Sequence, residues 1–229
     1  MWYSFRDPAN VRRTGYAVAT MALLSVLTAA AQPVFPEINS RQQAIAALAH
    51  ADPRDRASAI AYLGRTAVAT DAPLLIKRLA DENPLIRDLA EQNVWRVWSR
   101  SGDARIDQLL EQGVSHMTAG DHAQAIKIFT RVIERKPGFA ESWNKRATAY
   151  FLAGELHKSL ADCDQVMKRN PQHFGALSGY GQIYLRLDDL DQSLAYFRRA
   201  LTVNPNMSGV EINIRAIEEL RREKRRRTI

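Results

Sequence analysis

Side chains that could carry catalysis are few in this chain and are not grouped. The five histidines are dispersed, and the single cysteine, Cys163, has no local His and Asn or Asp signature that would activate a nucleophile. A phosphate-binding P-loop, a His-Glu-x-x-His zinc helix, a cysteine pair and a Gly-x-Ser-x-Gly turn are all missing from the sequence. We therefore expect no catalysis, no cofactor and no metal.

Two short motifs resemble ligand sites, and each has a simpler explanation. Asp188, Asp189 and Asp191 lack the glycine and the distal glutamate of a calcium loop, so we interpret them as solvated carboxylates near a helix start. Gly179-x-Gly181 is too short for a dinucleotide fingerprint and does not follow a strand.

The elements that would position any binding residue are predicted to be helices. The chain has 229 residues, of which 46% are hydrophobic and 25% charged, which is ordinary for a globular protein with a packed core. Alanine, leucine and arginine are frequent, whereas alternating β-branched runs and hairpin dipeptides are missing. The sequence predicts an all-α protein.

The N-terminus has the pattern of a secretory signal peptide. Arg6, Arg12 and Arg13 precede an uncharged run over 14–31 that ends in three alanines. Cleavage after Ala31 is the preferred reading, and an uncleaved inner-membrane anchor is the alternative, although the run is shorter than the roughly 20 strongly apolar residues of a typical span. Either reading places residues 32–229 outside the cytoplasm, which in a bacterium means a periplasmic, secreted or membrane-anchored protein.

A 34-residue period runs through the second half of the chain. Pro137, Pro171 and Pro205 mark it, and six further positions share the register. They are Leu109, Trp143 and Leu177; Gly113, Ala147 and Gly181; His116, Tyr150 and Tyr184; Gly120, Gly154 and Asp188; Ala125, Ser159 and Ser193; and Phe129, Cys163 and Phe197. This pattern resembles the tetratricopeptide repeat and implies three units, 106–139, 140–173 and 174–207, within an α-solenoid of stacked antiparallel helix pairs.

The registered residue types agree with that fold. A small residue at the position of Gly181 lets two helices approach closely, and Gly120, Gly154 and Asp188 fall where a left-handed residue ends the first helix. We expect Trp143 and Phe197 to be buried, and Cys163, at the aromatic position of its unit, to be an inert buried thiol.

A second period, of 31 residues, precedes these units. It matches Asp52-Pro53 with Asn83-Pro84, each a capping side chain followed by a proline suited to the first helical turn. The pattern over 41–100 resembles short HEAT-like repeats and implies two helix pairs. Trp95 and Trp98 are expected to fill the junction between the two arrays.

The resemblance to tetratricopeptide repeats implies a ligand groove on the first helix of each unit. Transferred to this sequence, the groove candidates are Leu110, Val114, Met117, Asn144, Lys145, Thr148, Phe151, Gly175, Ser178, Gly179, Gln182 and Arg186. Gly175 and Gly179 would form a shallow floor for a peptide backbone, or are merely tolerated on an exposed helix face. Because Leu110 and Val114 replace the residues that grip a free C-terminus in one subgroup, a chaperone C-terminus is not the expected ligand.

The C-terminal segment 208–229 is predicted to be a capping helix with a basic tail. Six cations are opposed by Glu223 alone: Arg221, Arg222, Lys224, Arg225, Arg226 and Arg227. They would contact an anionic envelope surface, or they simply complement the helix dipole and keep the cap soluble. Because the net charge of +7 comes largely from this tail and the N-terminus, no nucleic acid is expected as a partner.

These patterns together predict an exported, non-catalytic α-solenoid that binds a protein or peptide or assembles an envelope complex. An accessory subunit of an envelope enzyme or transporter is the alternative, as is a cytoplasmic adaptor if the N-terminus is not a signal.

Overall fold

The computed structural model describes residues 36–227, apart from the side chain of Arg227, and its helices confirm the predicted all-α class. The helices of this range are α1 (Arg41–Ala47), α2 (Pro53–Thr66), α3 (Ala72–Ile76), α4 (Pro84–Trp98), α5 (Ala104–Thr118), α6 (His122–Arg135), α7 (Ala140–Leu152), α8 (Leu156–Arg169), α9 (Phe174–Arg186), α10 (Leu190–Val203) and α11 (Ser208–Arg227). Two 3-10 turns, Ala69–Asp71 and Lys77–Ala80, flank α3. The expected signal peptide lies outside the described residues.

The N-terminal array contains the two predicted helix pairs, α1 with α2 and α3 with α4. Asp52 caps α2 by accepting a hydrogen bond from the Arg54 backbone N–H at 2.8 Å, and Asn83 caps α4 by accepting one from Leu85 at 2.9 Å. Both predicted helix starts are therefore confirmed. That these pairs are HEAT-like remains a prediction.

Arg56 and Arg87, one 31-residue period apart, make the same contact in the two pairs. Arg56 donates to the carbonyl oxygens of His50 and Ala51 at 2.8 and 2.7 Å, just before α2. Arg87 donates to those of Asp81 and Glu82 at 2.9 and 3.2 Å, just before α4. Each guanidinium thus ties its helix to the preceding turn.

The second array consists of three helix pairs, α5/α6, α7/α8 and α9/α10, followed by α11 packed on α10. The turn inside each pair contains the predicted left-handed residue, with φ of 84° at Gly120, 81° at Gly154 and 59° at Asp188. These three positions are confirmed.

In the first and third pairs a glycine allows the two helices to approach closely. A Cβ at Gly113 would lie 2.4 Å from the Phe129 ring, and one at Gly181 would lie 2.5 Å from the Phe197 ring. In the third pair the Ser193 hydroxyl also donates to the Gly181 carbonyl at 2.7 Å. The small residues therefore leave room for a ring from the partner helix, as predicted.

Phe197 and Trp143 were both predicted to be buried, and the prediction is confirmed for Phe197 and wrong for Trp143. Phe197 is fully buried, whereas Trp143 is only half-buried, and the guanidinium groups of Arg169 and Arg146 lie 4.7 and 5.1 Å from the centroid of its ring. The Trp143 indole also donates to the Pro137 carbonyl at 3.0 Å. Cys163 is buried as expected, and burial raises the pKa of its thiol far above the ordinary value.

The N-terminal array packs on the third repeat of the second array. One hydrophobic core joins α1–α4 to α9, α10 and α11, and it includes Trp98, Phe174 and Met207. The Asn206 side chain donates to the Leu79 carbonyl at 2.7 Å across the same boundary. The two arrays are therefore continuous in space, although the sequence period changes between them.

Within residues 36–227, no helix combines the length and apolar character that a membrane crossing requires.

Candidate functional site

The first helices of the three repeats, α5, α7 and α9, form one face of the second array, and the end of α4 lies beside it. Between α4, α5 and α7 there is an open cleft of about 650 Å³, which we call the α4–α5 cleft. Its lining includes Arg96, Ser99, Leu110, Glu111, Val114 and Lys145. Apolar side chains from α5 thus stand beside cations from α4 and α7, a combination that suits an amphipathic segment.

Lys145 is held at the inner side of this cleft. Its Nζ lies 3.0 Å from Glu141 Oε1 and 5.9 Å from the centroid of the Trp95 ring, and its side chain is 20% exposed. The ammonium charge is therefore already balanced by a carboxylate within the protein.

Glu141 is the centre of a buried polar network behind Lys145. Its Oε2 accepts hydrogen bonds from His173 Nε2 at 2.9 Å and from Asn144 Nδ2 at 3.1 Å. Burial alone would raise the pKa of Glu141, but the charge of Lys145 and the hydrogen bond from His173 outweigh it, so the pKa falls to about 2.

His173 joins this network to the N-terminal array. Its Nδ1 accepts the Ala176 backbone N–H at 3.0 Å and so caps α9, which leaves Nε2 as the protonated nitrogen facing Glu141. The Trp98 indole stacks on the imidazole with centroids 4.4 Å apart and planes inclined by 17°. The predicted junction role of the two tryptophans is confirmed, since Trp95 packs edge-on against Phe174 at 5.1 Å.

The expectation that Gly175 is an open groove floor is wrong. A Cβ at residue 175 would lie 2.5 Å from Cη2 of Trp95, so the space above this glycine is occupied by an indole of the same chain. The missing side chain is used for packing between the arrays, which the spacing of the sequence did not reveal.

The other groove candidates fall into three groups. Leu110, Val114 and Lys145 come together in the α4–α5 cleft. Phe151 is half-buried under the Arg186 guanidinium, 4.7 Å from its ring centroid. Asn144, Thr148, Ser178 and Gly179 are buried and Gln182 is part-buried, on the same helices.

Met117, predicted as an apolar contact of the groove, is only 7% exposed and belongs to the core of the first repeat. That prediction is wrong because the side chain packs inside the helix pair.

Sequence reasoning missed the contribution of α4 to the site. Arg96 and Ser99 line the cleft although they lie outside the 34-residue repeats. Trp95 and Trp98, which are next to them in the sequence, could have indicated this contribution. Residues adjacent to an aromatic side chain at the junction lie close to the same surface.

The basic tail extends α11 as a helix and is partly neutralised. Arg221 pairs with Asp191 and Lys224 with Asp188, both at 2.7 Å. Arg222, Arg225 and Arg226 are exposed. Three cations of the predicted anionic contact are thus presented to solvent, and Arg227 ends the helix.

In the part of the chain that the structure describes, no three His, Cys, Asp or Glu side chains are grouped to hold a metal ion.

Comparison with known families and proteins agrees with the repeat register. Family models of the tetratricopeptide repeat match residues 110–166 and 174–207. A TPR repeat-containing protein of Rhizobium etli is 34% identical over 108 residues, which cover 47% of this chain and 53% of the relative. Anaphase-promoting complex subunit 3 of Schizosaccharomyces pombe is 31% identical over 88 residues, covering 38% of this chain and 13% of that protein.

Among solved structures, the TPR domain of Sgt2 from Aspergillus fumigatus aligns with a TM-score of 0.52 at 18% identity, over 54% of this chain and 83% of the domain. At that identity the likeness concerns the fold. The chain spans about half the length of the first of these curated relatives and a small part of the second.

Proposed function

Since this chain is a tetratricopeptide-repeat protein in its second half, we propose that it acts outside the cytoplasm as a non-catalytic module that binds a segment of a partner protein. Tetratricopeptide repeats are protein-interaction modules, and stacked helix pairs offer an extended face for a partner. The binding site proposed for this chain is the α4–α5 cleft together with the adjoining face of α7.

The open α4–α5 cleft is the observation that carries this proposal. At its floor the part-buried Val114, which lies beside the buried Leu110, can pack against an apolar side chain of a partner segment. Arg96 and Glu111 at its rim are exposed charges of opposite sign, which orient a polar segment. Other parts of the same helix face are covered by Trp95, so the partner is expected to engage the first two repeats.

Export is supported by the basic, apolar and alanine-ended segments of residues 1–31. Mass measurement of the protein purified from its host is expected to show a chain that begins at Gln32. A chain that begins at Met1 and fractionates with the cytoplasm would contradict export and would favour a cytoplasmic adaptor.

The binding proposal is tested by selecting peptides from a phage-displayed random library on the full chain. The selected peptides should bind the parent and lose affinity for Val114→Gln, in which a polar side chain fills the cleft. The matched control is Ala195→Gln, a similar enlargement on the exposed surface of α10, which should bind like the parent. Failure to select any peptide, or equal binding to both variants, would refute the cleft as the site.

Lys145→Glu is not a suitable test variant. The new carboxylate would lie beside the buried Glu141, so lost binding would reflect damage to the fold as well as to the site.

A further inference from the structure

A cavity of about 420 Å³ lies where the N-terminal array meets the turns that precede α7 and α9, and we call it the junction cavity. Its wall includes the side chains of Ile76, Trp98 and Phe139, which are 8%, 5% and 8% exposed. Among the described residues, only Arg100 lines both this cavity and the α4–α5 cleft. Small molecules commonly bind between two packed units, in cavities of this size.

Gly138 keeps one side of the junction cavity open. A Cβ at residue 138 would meet no atom within 4 Å, and the φ of this glycine is not positive. One and two periods later the same turn contains Gln172 and Asn206, so the turn does not require a glycine. A glycine loses more conformational freedom on folding than any other residue. The missing side chain therefore serves neither the turn nor helix packing, and its effect is to leave space in the cavity.

Two guanidinium groups line the junction cavity, and neither forms an ion pair within residues 36–227. Arg100 donates to three carbonyl oxygens at the C-terminal end of α2. Arg169 donates through Nε to the Pro137 carbonyl at 2.6 Å and through Nη1 to Gln165, which leaves its Nη2 without an acceptor among the described residues. Because carbonyl oxygens are neutral, both positive charges lack a counter-ion.

The one carboxylate that lines the cavity does not cancel these charges. The side chain of Glu141 is completely buried and lies 3.0 Å from Lys145 Nζ and 2.9 Å from His173 Nε2. Its charge is balanced within that network. The cavity thus combines an apolar wall with unbalanced positive charge, which is complementary to an apolar anion.

From these observations we propose that the junction cavity binds a free small molecule that has an apolar body and one carboxylate. The rings of Trp98 and Phe139 pack against the body. Arg169 Nη2 donates a charge-assisted hydrogen bond to the carboxylate, and the Arg100 charge adds to the attraction. The site is separate from the α4–α5 cleft, so this inference does not depend on the proposed peptide binding.

The first test titrates the full chain with 3-phenylpropanoate by isothermal calorimetry. Two further probes separate the contributions, since 3-phenylpropanamide lacks the charge and propanoate lacks the ring. The aromatic acid should bind about tenfold more tightly than either. Equal binding of the amide would overturn the role of the guanidinium groups, and no binding of the aromatic acid at millimolar concentration would overturn the proposal.

The second test fills the cavity from Gly138. Gly138→Phe should abolish binding of 3-phenylpropanoate. The matched control is Gly209→Phe in the first turn of α11, where a Cβ also meets no atom within 4 Å, and this variant should bind like the parent. Equal binding by the two variants would place the ligand elsewhere and overturn the proposal.

Arg169→Gln decides the case if Gly138→Phe fails to fold, which its melting temperature shows. This variant should bind 3-phenylpropanoate about tenfold more weakly and 3-phenylpropanamide unchanged. A purely structural role of Arg169 would weaken binding of both probes equally, and that result would contradict the proposed contact with the carboxylate.

Discussion

Trp95 occupies the space that a side chain on residue 175 would need: a Cβ there would lie 2.5 Å from Cη2 of the indole. Residues 80 positions apart in the sequence are therefore complementary in shape. This contact closes part of the repeat face and joins the two arrays into one core.

The first prediction follows from that contact. Gly175→Ala should destabilise the protein by about 1 to 3 kcal/mol, because the added methyl group overpacks the site against a ring. Urea unfolding measures the change. Trp95→Leu in the same chain should recover part of the loss, giving a coupling energy in a double-mutant cycle.

Gly138→Ala is the matched control for this prediction, since its Cβ would meet no atom within 4 Å. It should leave stability unchanged or slightly raised. Equal losses at residues 138 and 175 would mean that the contact with Trp95 is not responsible.

The second prediction ranks two aromatic residues of the repeats. Phe197→Ala should cost about 3 to 5 kcal/mol, because a fully buried ring leaves a cavity. Trp143→Ala should cost less, since that side chain is only partly buried and guanidinium groups lie against its ring. Thermal unfolding of both variants decides the order, and a larger loss for Trp143 would contradict it.

The third prediction concerns the loss of stability at acid pH that arises from Glu141. Because the folded pKa of Glu141 is lowered from 4.5 to about 2, its contribution to stability is complete above about pH 4.5 and is lost as the pH falls toward 2. The loss is on the order of 3 kcal/mol. Urea unfolding across this range should show a steeper acid decline for the parent than for Glu141→Gln.

Glu91 provides a control of opposite sign, since burial raises its pKa. A carboxyl with a raised folded pKa contributes stability at low pH that is lost as the pH rises through that pKa. Glu91→Gln should therefore make the free energy of unfolding fall more steeply as the pH is lowered. If this fall is shallower than the parent's in both the Glu91 and the Glu141 variants, the assignment to Glu141 is contradicted.

The fourth prediction concerns the exposed cations of α11. The parent should bind vesicles that contain phosphatidylglycerol at low salt and release them at high salt, as expected for contacts of about 1 kcal/mol per cation. Changing Arg222, Arg225 and Arg226 together to glutamine should weaken this binding. Arg221 and Lys224 are left in place because they pair with Asp191 and Asp188.

The control removes three exposed cations elsewhere, Lys127, Arg131 and Arg135 on α6. If both triple variants lose binding equally, the net charge rather than the tail is responsible. If the parent binds neutral vesicles as well as it binds vesicles that contain phosphatidylglycerol, the tail has no specific contact with anions. The alternative then stands, in which the tail complements the helix dipole and keeps the cap soluble.

Much of the fold was determined by the sequence itself, because helix pairs depend on local spacing. The 34-residue period predicted the three repeats, the left-handed turns at Gly120, Gly154 and Asp188, and the close approach at Gly181. Each of these features depends on residues within one or two repeats, which the period places in contact whatever the rest of the chain does.

Only the tertiary structure decided how the two arrays meet and therefore which groove residues are open. The resemblance to the tetratricopeptide repeat assigned Gly175 to a binding floor, but Trp95, from outside the repeats, covers it, and Arg96 and Ser99 line the cleft instead. Long-range packing has no period, since it depends on the shapes of two surfaces that are far apart in the chain. Trp143 differs in origin, because Arg169 reaches its ring from the second helix of the same repeat, and the period does not specify the residue types between its registered positions.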